Sequence, residues 1–98
     1  MSRYFAKDGR GISLLQWAKL FEDRSYKQLW DDSVGSSRVS TVWLGMDHGF
    51  GEFSRPIIFE TLVFGGPLDQ EMDRYATIYE AEEGHKAMVK RVRVKCET

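Results

Sequence analysis

Several things are scarce in this chain, and each scarcity narrows its function. There is one cysteine, Cys96, so no internal disulfide can form, which fits a reducing cytosol. The only prolines are Pro56 and Pro67, each beside a glycine-containing stretch that reads as a connection. No charge of one sign dominates: 14 basic and 15 acidic side chains leave a formal net charge of -1. Bulk electrostatic attraction to nucleic acid or to a membrane is therefore missing. No run approaches the roughly 18 apolar residues of a membrane span, and Met1 to Asp8 do not read as a signal peptide. Internal repeats and low-complexity tracts are absent, as are phosphate-cradling glycine motifs and dense Cys/His clusters with zinc spacing.

What remains is a core-forming composition. With 42% hydrophobic and 13% aromatic residues over 98 positions, the chain is suited to one small folded domain covering 1–98. Ser13-Leu14-Leu15-Gln16 has the form of a capping box, with Ile12 and Trp17 at the positions of a hydrophobic staple. Leu14, Trp17, Ala18 and Phe21 follow at helical spacing. The helix should stop near Glu22-Asp23, whose carboxylates oppose its dipole. Upstream, Tyr4-Phe5 and Lys7-Asp8-Gly9 suggest a short extended piece turning at Asp-Gly.

Residues 26–34 fit either a weak helical stripe (Tyr26, Leu29, Trp30, Ser33) or a strand. The Gly35-Ser36-Ser37 turn into a β-rich run favours the strand. Residues 38–44 and 57–64 are rich in β-branched and aromatic residues and read as strands, joined through a loop containing Gly45, Gly49 and Gly51. Gly65-Gly66-Pro67 opens an acidic turn, after which Met72 to Ala76 form a short edge strand. A second capping box, Thr77-Ile78-Tyr79-Glu80, starts the last helix. Its acids (Glu80, Glu82, Glu83) lie early and its bases (Lys86, Lys90, Arg91, Arg93) late, as the dipole favours. Ala81, His85, Met88, Val92 and, at its end, Cys96 make its inward stripe, broadened by Val89. The predicted fold is α+β: an antiparallel meander of three to four strands with an N-terminal and a C-terminal helix.

Alternation places Val39 and Trp43 on one side of the first long strand and Val42 and Leu44 on the other. Along 57–64, Ile57, Phe59 and Val63 oppose Ile58, Leu62 and Phe64. Both sides of the sheet are thus apolar and each needs a cover. The simpler arrangement covers both within the chain; the alternative leaves one open for self-association or a protein target. Trp30 and Trp43, with Phe50 and Phe53 in the loop, are the candidate protein-binding residues.

Other constellations are weaker. Asp47, His48 and Glu52, with His85 as a fourth, are conceivable metal ligands, although a connecting loop with strain-relieving glycines accounts for the same residues. His85 on an apolar stripe reads first as a core histidine bonded to a neighbour. Cys96 lacks the surroundings of a nucleophile. Glu60 in mid-strand calls for a cation, and Arg74 on an adjacent strand is the candidate. The basic cluster Lys86, Lys90, Arg91, Arg93 and Lys95 suggests a nucleic-acid site, yet positive residues are expected at a helix C-terminus anyway. No catalytic set and no cofactor motif stands out.

Taken together, Val39-Ser40-Thr41-Val42-Trp43-Leu44-Gly45-Met46-Asp47-His48, Ile58-Phe59-Glu60-Thr61-Leu62-Val63-Phe64-Gly65-Gly66, and Arg74-Tyr75-Ala76-Thr77 leading to Glu80-Ala81 and Gly84-His85 resemble a family of small proteins of tailed bacteriophages and prophages. Asp8-Gly9, Ile12-Ser13 and Trp17-Ala18-Lys19-Leu20-Phe21-Glu22-Asp23 extend the resemblance over nearly the whole chain; Ser54-Arg55 depart from the proline-rich approach common before the second strand. The resemblance implies a phage or prophage origin and the cytoplasm of a bacterial host, and implies no activity. The leading expectation is a non-enzymatic protein-binding module acting on a host or phage protein, with a homodimer as a variant. A nucleic-acid binder using the basic helix end is the alternative, and a metal-dependent enzyme the third.

Overall fold

The computed structural model describes residues 3–48 and 55–97. The chain runs β1 (Tyr4–Phe5), β2 (Gly11–Ile12), α1 (Leu14–Glu22), α2 (Arg24–Lys27), β3 (Gln28–Val34), β4 (Ser37–Trp43), β5 (Phe59–Phe64), β6 (Met72–Tyr75) and α3 (Ile78–Glu97). β3 to β6 form a four-stranded antiparallel sheet in sequence order, and β1 pairs with β2 in a separate hairpin. This is the expected α+β meander with a helix at each end.

Local chemistry sets the boundaries. The Ser13 hydroxyl accepts from the Gln16 amide at 3.2 Å while the Gln16 side chain accepts from the Ser13 amide at 2.9 Å, so α1 opens with a complete capping box. α1 ends at Glu22, and Asp23 then caps α2, its carboxylate accepting from the amides of Ser25 and Tyr26. These bonds, led by that from the Ser25 hydroxyl, hold the Asp23 carboxyl below its usual range despite some desolvation. The four-residue α2 was not expected; Asp23, read as a stop signal, is also a start signal. β3 and β4 join through Gly35-Ser36, with Gly35 at φ +59 supplying the positive φ of a tight hairpin. Thr77 and Glu80 reproduce the capping box at α3, each side chain bonding the other's amide at 3.1 Å.

Among the described residues, the core lies on one side of the sheet. Val39, Trp43, Phe59 and Val63 point to it from β4 and β5, and Ala81, Met88 and Val92 meet them from α3. Trp17, Leu20 and Phe21 of α1 join at the Trp43 end, together with Tyr26. Trp43 makes an edge-on contact with Tyr26 and donates its Nε1 proton to the Phe5 carbonyl at 2.9 Å. Trp17 donates likewise to the Leu44 carbonyl at 2.9 Å. Gly45, at φ +73, lies between these two indoles, and a side chain there would collide with both. Leu14 departs from the expected apolar stripe: it stays 56% exposed, so the side of α1 turned to the core is Trp17, Leu20 and Phe21, each half-buried.

Candidate protein-docking face

Because α3 covers one side of the sheet, the side chains of opposite parity face outward. The register aligns Arg38 with Phe64, Ser40 with both Leu62 and Asp31, Leu62 with Met72, and Glu60 with Val42 and Arg74. The outward face therefore carries Val42, Leu62, Phe64 and Met72 among polar residues. Phe64, at the end of β5, and Met72, at the start of the edge strand β6, are 41% and 43% exposed. Two ion pairs flank this strip. Arg38 grips Asp31 with two parallel bonds of 2.8 Å, and Arg74 meets Glu60 at 3.1 Å, the pairing expected for that carboxylate. The bond from Arg38 holds the Asp31 carboxyl below its usual range, outweighing the opposing effect of desolvation. The Arg38 guanidinium also stands 5.5 Å from the Phe64 ring centre. The result is a face neutral in charge, with an apolar centre and side chains fixed in place.

The expected anchor residues distribute differently. Trp43 is 0% exposed and holds the core, so it is unavailable to a partner; its parity places it on the helix side. Trp30 is half-buried on that same side, its ring 5.9 Å from the His85 imidazole. Phe50, Phe53 and Glu52 lie outside the described residues. Sequence reasoning passed over Phe64 and Met72, although strand alternation had placed Phe64 opposite Phe59. The bias toward tryptophan outweighed that signal.

A second arrangement has the order of a nucleophile, a base and a carboxylate. The His85 Nδ1 lies 2.7 Å from the Thr41 hydroxyl and its Nε2 2.6 Å from Asp32. Thr41 bonds the Thr61 hydroxyl, which accepts from the Tyr75 hydroxyl at 3.1 Å. With His85 protonated at Nε2, one proton order satisfies the whole line: Tyr75 donates to Thr61, Thr61 to Thr41, Thr41 to His85, and His85 to Asp32. Burial raises the Tyr75 hydroxyl above its usual range, which keeps it a donor. Thr41 and Thr61 are themselves fully buried, so no substrate reaches the hydroxyl that would attack. The line ties β3, β4, β5, β6 and α3 together; His85 is a core histidine with both nitrogens occupied.

That occupation also separates His85 from the loop residues with which it was grouped. Asp47 accepts from the Ile57 amide at 2.9 Å, and the His48 amide donates to the Ile57 carbonyl, so both fasten the loop to the approach of β5. Among the described residues, no group of three or more His, Cys, Asp or Glu side chains is placed to hold a metal. The basic end of α3 is partly neutralised: Lys86 lies 3.8 Å from Glu83 and Arg91 3.6 Å from Glu71. Cys96 is exposed, and its thiol is 3.8 Å from the Val34 carbonyl. No helix of the described residues is long and apolar enough to cross a membrane. Comparison with protein-family models, curated proteins and solved structures finds no match, so any functional reading rests on the chain's own residues.

Proposed function

We propose that this chain is a non-enzymatic protein-binding module whose working surface is the outward face of the sheet. We further propose that it is encoded by a phage or prophage and acts in the bacterial cytoplasm on a host or phage protein. One observation carries the binding reading: a four-stranded sheet with a helix over one side and, on the other, Leu62 across from Met72 with Phe64 two residues along β5. Covering such a strip with a complementary surface removes apolar area from water, at about 25 cal/mol per Å². The two flanking ion pairs are satisfied within the chain, so docking need not leave a buried charge unpaired. The origin and setting rest on the resemblance alone.

The test is capture from cells expressing the chain, run in parallel with Phe64→Asp and Met72→Asp. Both positions are exposed, so the variants should melt within a few degrees of the parent. The expected result is a stoichiometric protein partner recovered by the parent and lost with both variants. A clean monomer with no partner, or a partner retained by both variants, overturns the reading. A dimer that both variants dissociate makes the partner a second copy.

A further inference from the structure

We infer that the outer flank of α3 is a second docking site, separate from the sheet face, and that it receives an acidic amphipathic segment of a partner protein. Ala87, Lys90, Arg91, Val94 and Lys95 of α3, together with Leu68, line a groove of about 430 Å³. The helical residues recur at intervals of three, four, seven and eight, so they fall on one stripe of α3. That stripe is distinct from the buried one of Ala81, His85, Met88 and Val92. Leu68, in the β5–β6 connection, packs against the cluster of Val39, Val63, Met88 and Val92, which makes the groove floor an extension of the core. Val94 is 51% exposed above it. The volume falls within the usual range for ligand sites, roughly 300–1,000 Å³.

Charge selects the occupant. Three of the six lining side chains are cationic and none is acidic. Glu71 stands just outside, 3.6 Å from Arg91, steadying that guanidinium and neutralising part of it; Lys90 has no ion pair among the described residues. An apolar floor between cations complements a segment that alternates apolar side chains with carboxylates in a helix-in-groove mode. The apolar groups displace water from Ala87, Val94 and Leu68, while the carboxylates meet Lys90 and its basic neighbours. At 1.5 Å rise per residue the stripe is about 12 Å long, enough for about two turns of a partner helix. Nucleic acid is a poorer match, because phosphates gain nothing from the apolar floor, and Lys86 and Arg93 lie outside the groove and break any continuous basic track. An anionic membrane is also poorer, since the site is concave and has no aromatic residue to enter the headgroup region.

The test pans a random peptide library of about 12 residues, long enough for three helical turns, against the immobilised full chain. Enriched peptides are then measured in solution by fluorescence anisotropy. The expected peptides combine Asp or Glu with Leu, Ile or Phe at helical spacing, and their affinity falls with salt. Lys90→Glu and Val94→Asp should each weaken binding about tenfold, the size of one interface contact worth about 1.4 kcal/mol. Phe64→Asp, on the sheet face, should leave it unchanged, so this result stands or falls apart from the first reading. No enrichment, enrichment without acidic residues, or binding indifferent to both groove variants overturns the inference. So does tighter binding of duplex DNA or of phosphatidylserine vesicles that the two variants abolish.

Discussion

At the residue scale, the buried hydroxyl line is the most exacting feature of the molecule. Thr41 shares its hydroxyl between Thr61 and His85. Valine is nearly the same size, so Thr41→Val removes the bonds while leaving the packing almost intact. It strands the His85 Nδ1 in the core, at about 1–3 kcal/mol for an unsatisfied buried group, while the Thr61 hydroxyl keeps only its bond from Tyr75. Urea denaturation should show the midpoint falling with an unchanged slope. A loss below about 0.5 kcal/mol would mean that the line is incidental to stability. Gly84 is a second such residue, because a side chain there would overlap the Tyr75 ring that donates to Thr61. Gly84→Ala should therefore destabilise by pushing that ring aside. Gly84 sits in mid-helix, where alanine is otherwise preferred by about 1 kcal/mol. A gain in melting temperature for Gly84→Ala would show that the overlap is relieved without cost.

At the element scale, the two capping boxes can be weighed against each other. Ser13→Ala and Thr77→Ala each remove one cap, worth about 1 kcal/mol. The Thr77 cap carries a further partner, Arg55, which reaches Glu80 at 3.2 Å. Desolvation pushes the Glu80 carboxyl up, but the bonds from Arg55 and Thr77 outweigh it and hold the group below its usual range. A depressed carboxyl stabilises the fold above its unfolded value of about 4.3 and loses that contribution as pH falls through the folded value. Melting temperature should thus drop between about pH 5 and pH 3, and Glu80→Gln should flatten that drop while lowering stability at pH 7. An identical acid profile for the two proteins would remove Glu80 from the account. Both boxes and the strand alternation were legible because each is a short-range pattern of fixed spacing; the Glu60–Arg74 pair, 14 residues apart, was legible because a carboxylate in mid-strand needs a cation and the neighbouring strand offers one. The side on which α3 lands was not legible, because β4 and β5 present apolar residues both ways and the choice is made by packing. Trp43 shows the same limit: its type suggested a contact surface, while its parity with Val39 and Phe59 sends it under the helix. α2 escaped notice because one residue, Asp23, closes a helix and opens another.

At the scale of the whole molecule, thickness supports a face that the described residues leave uncovered. The described chain extends 47 × 29 × 19 Å with a radius of gyration of 14.3 Å, where a compact domain of this length would have about 13 Å. A helix about 10 Å in diameter packed on one sheet accounts for the thin dimension; a third layer would thicken it. The same flat slab has an edge to protect. β3 is an edge strand of seven residues whose outer side pairs with no other strand among the described residues, and it carries Asp31, Asp32 and Ser33. Charge at that position disfavours addition of another strand, which would bring two like acidic runs together. Asp31 also belongs to the outward face, where it holds Arg38 beside Phe64. Asp31→Val should therefore act on the molecule as a whole: it removes the edge charge, releases Arg38 and widens the apolar strip. The expected outcome is a concentration-dependent rise in scattering near neutral pH with little change in helix content by circular dichroism. Combining it with Phe64→Asp should reverse much of the rise if association runs across the face, and leave it intact if it runs along the β3 edge. A monodisperse Asp31→Val protein at millimolar concentration would show that neither surface is held back by that carboxylate.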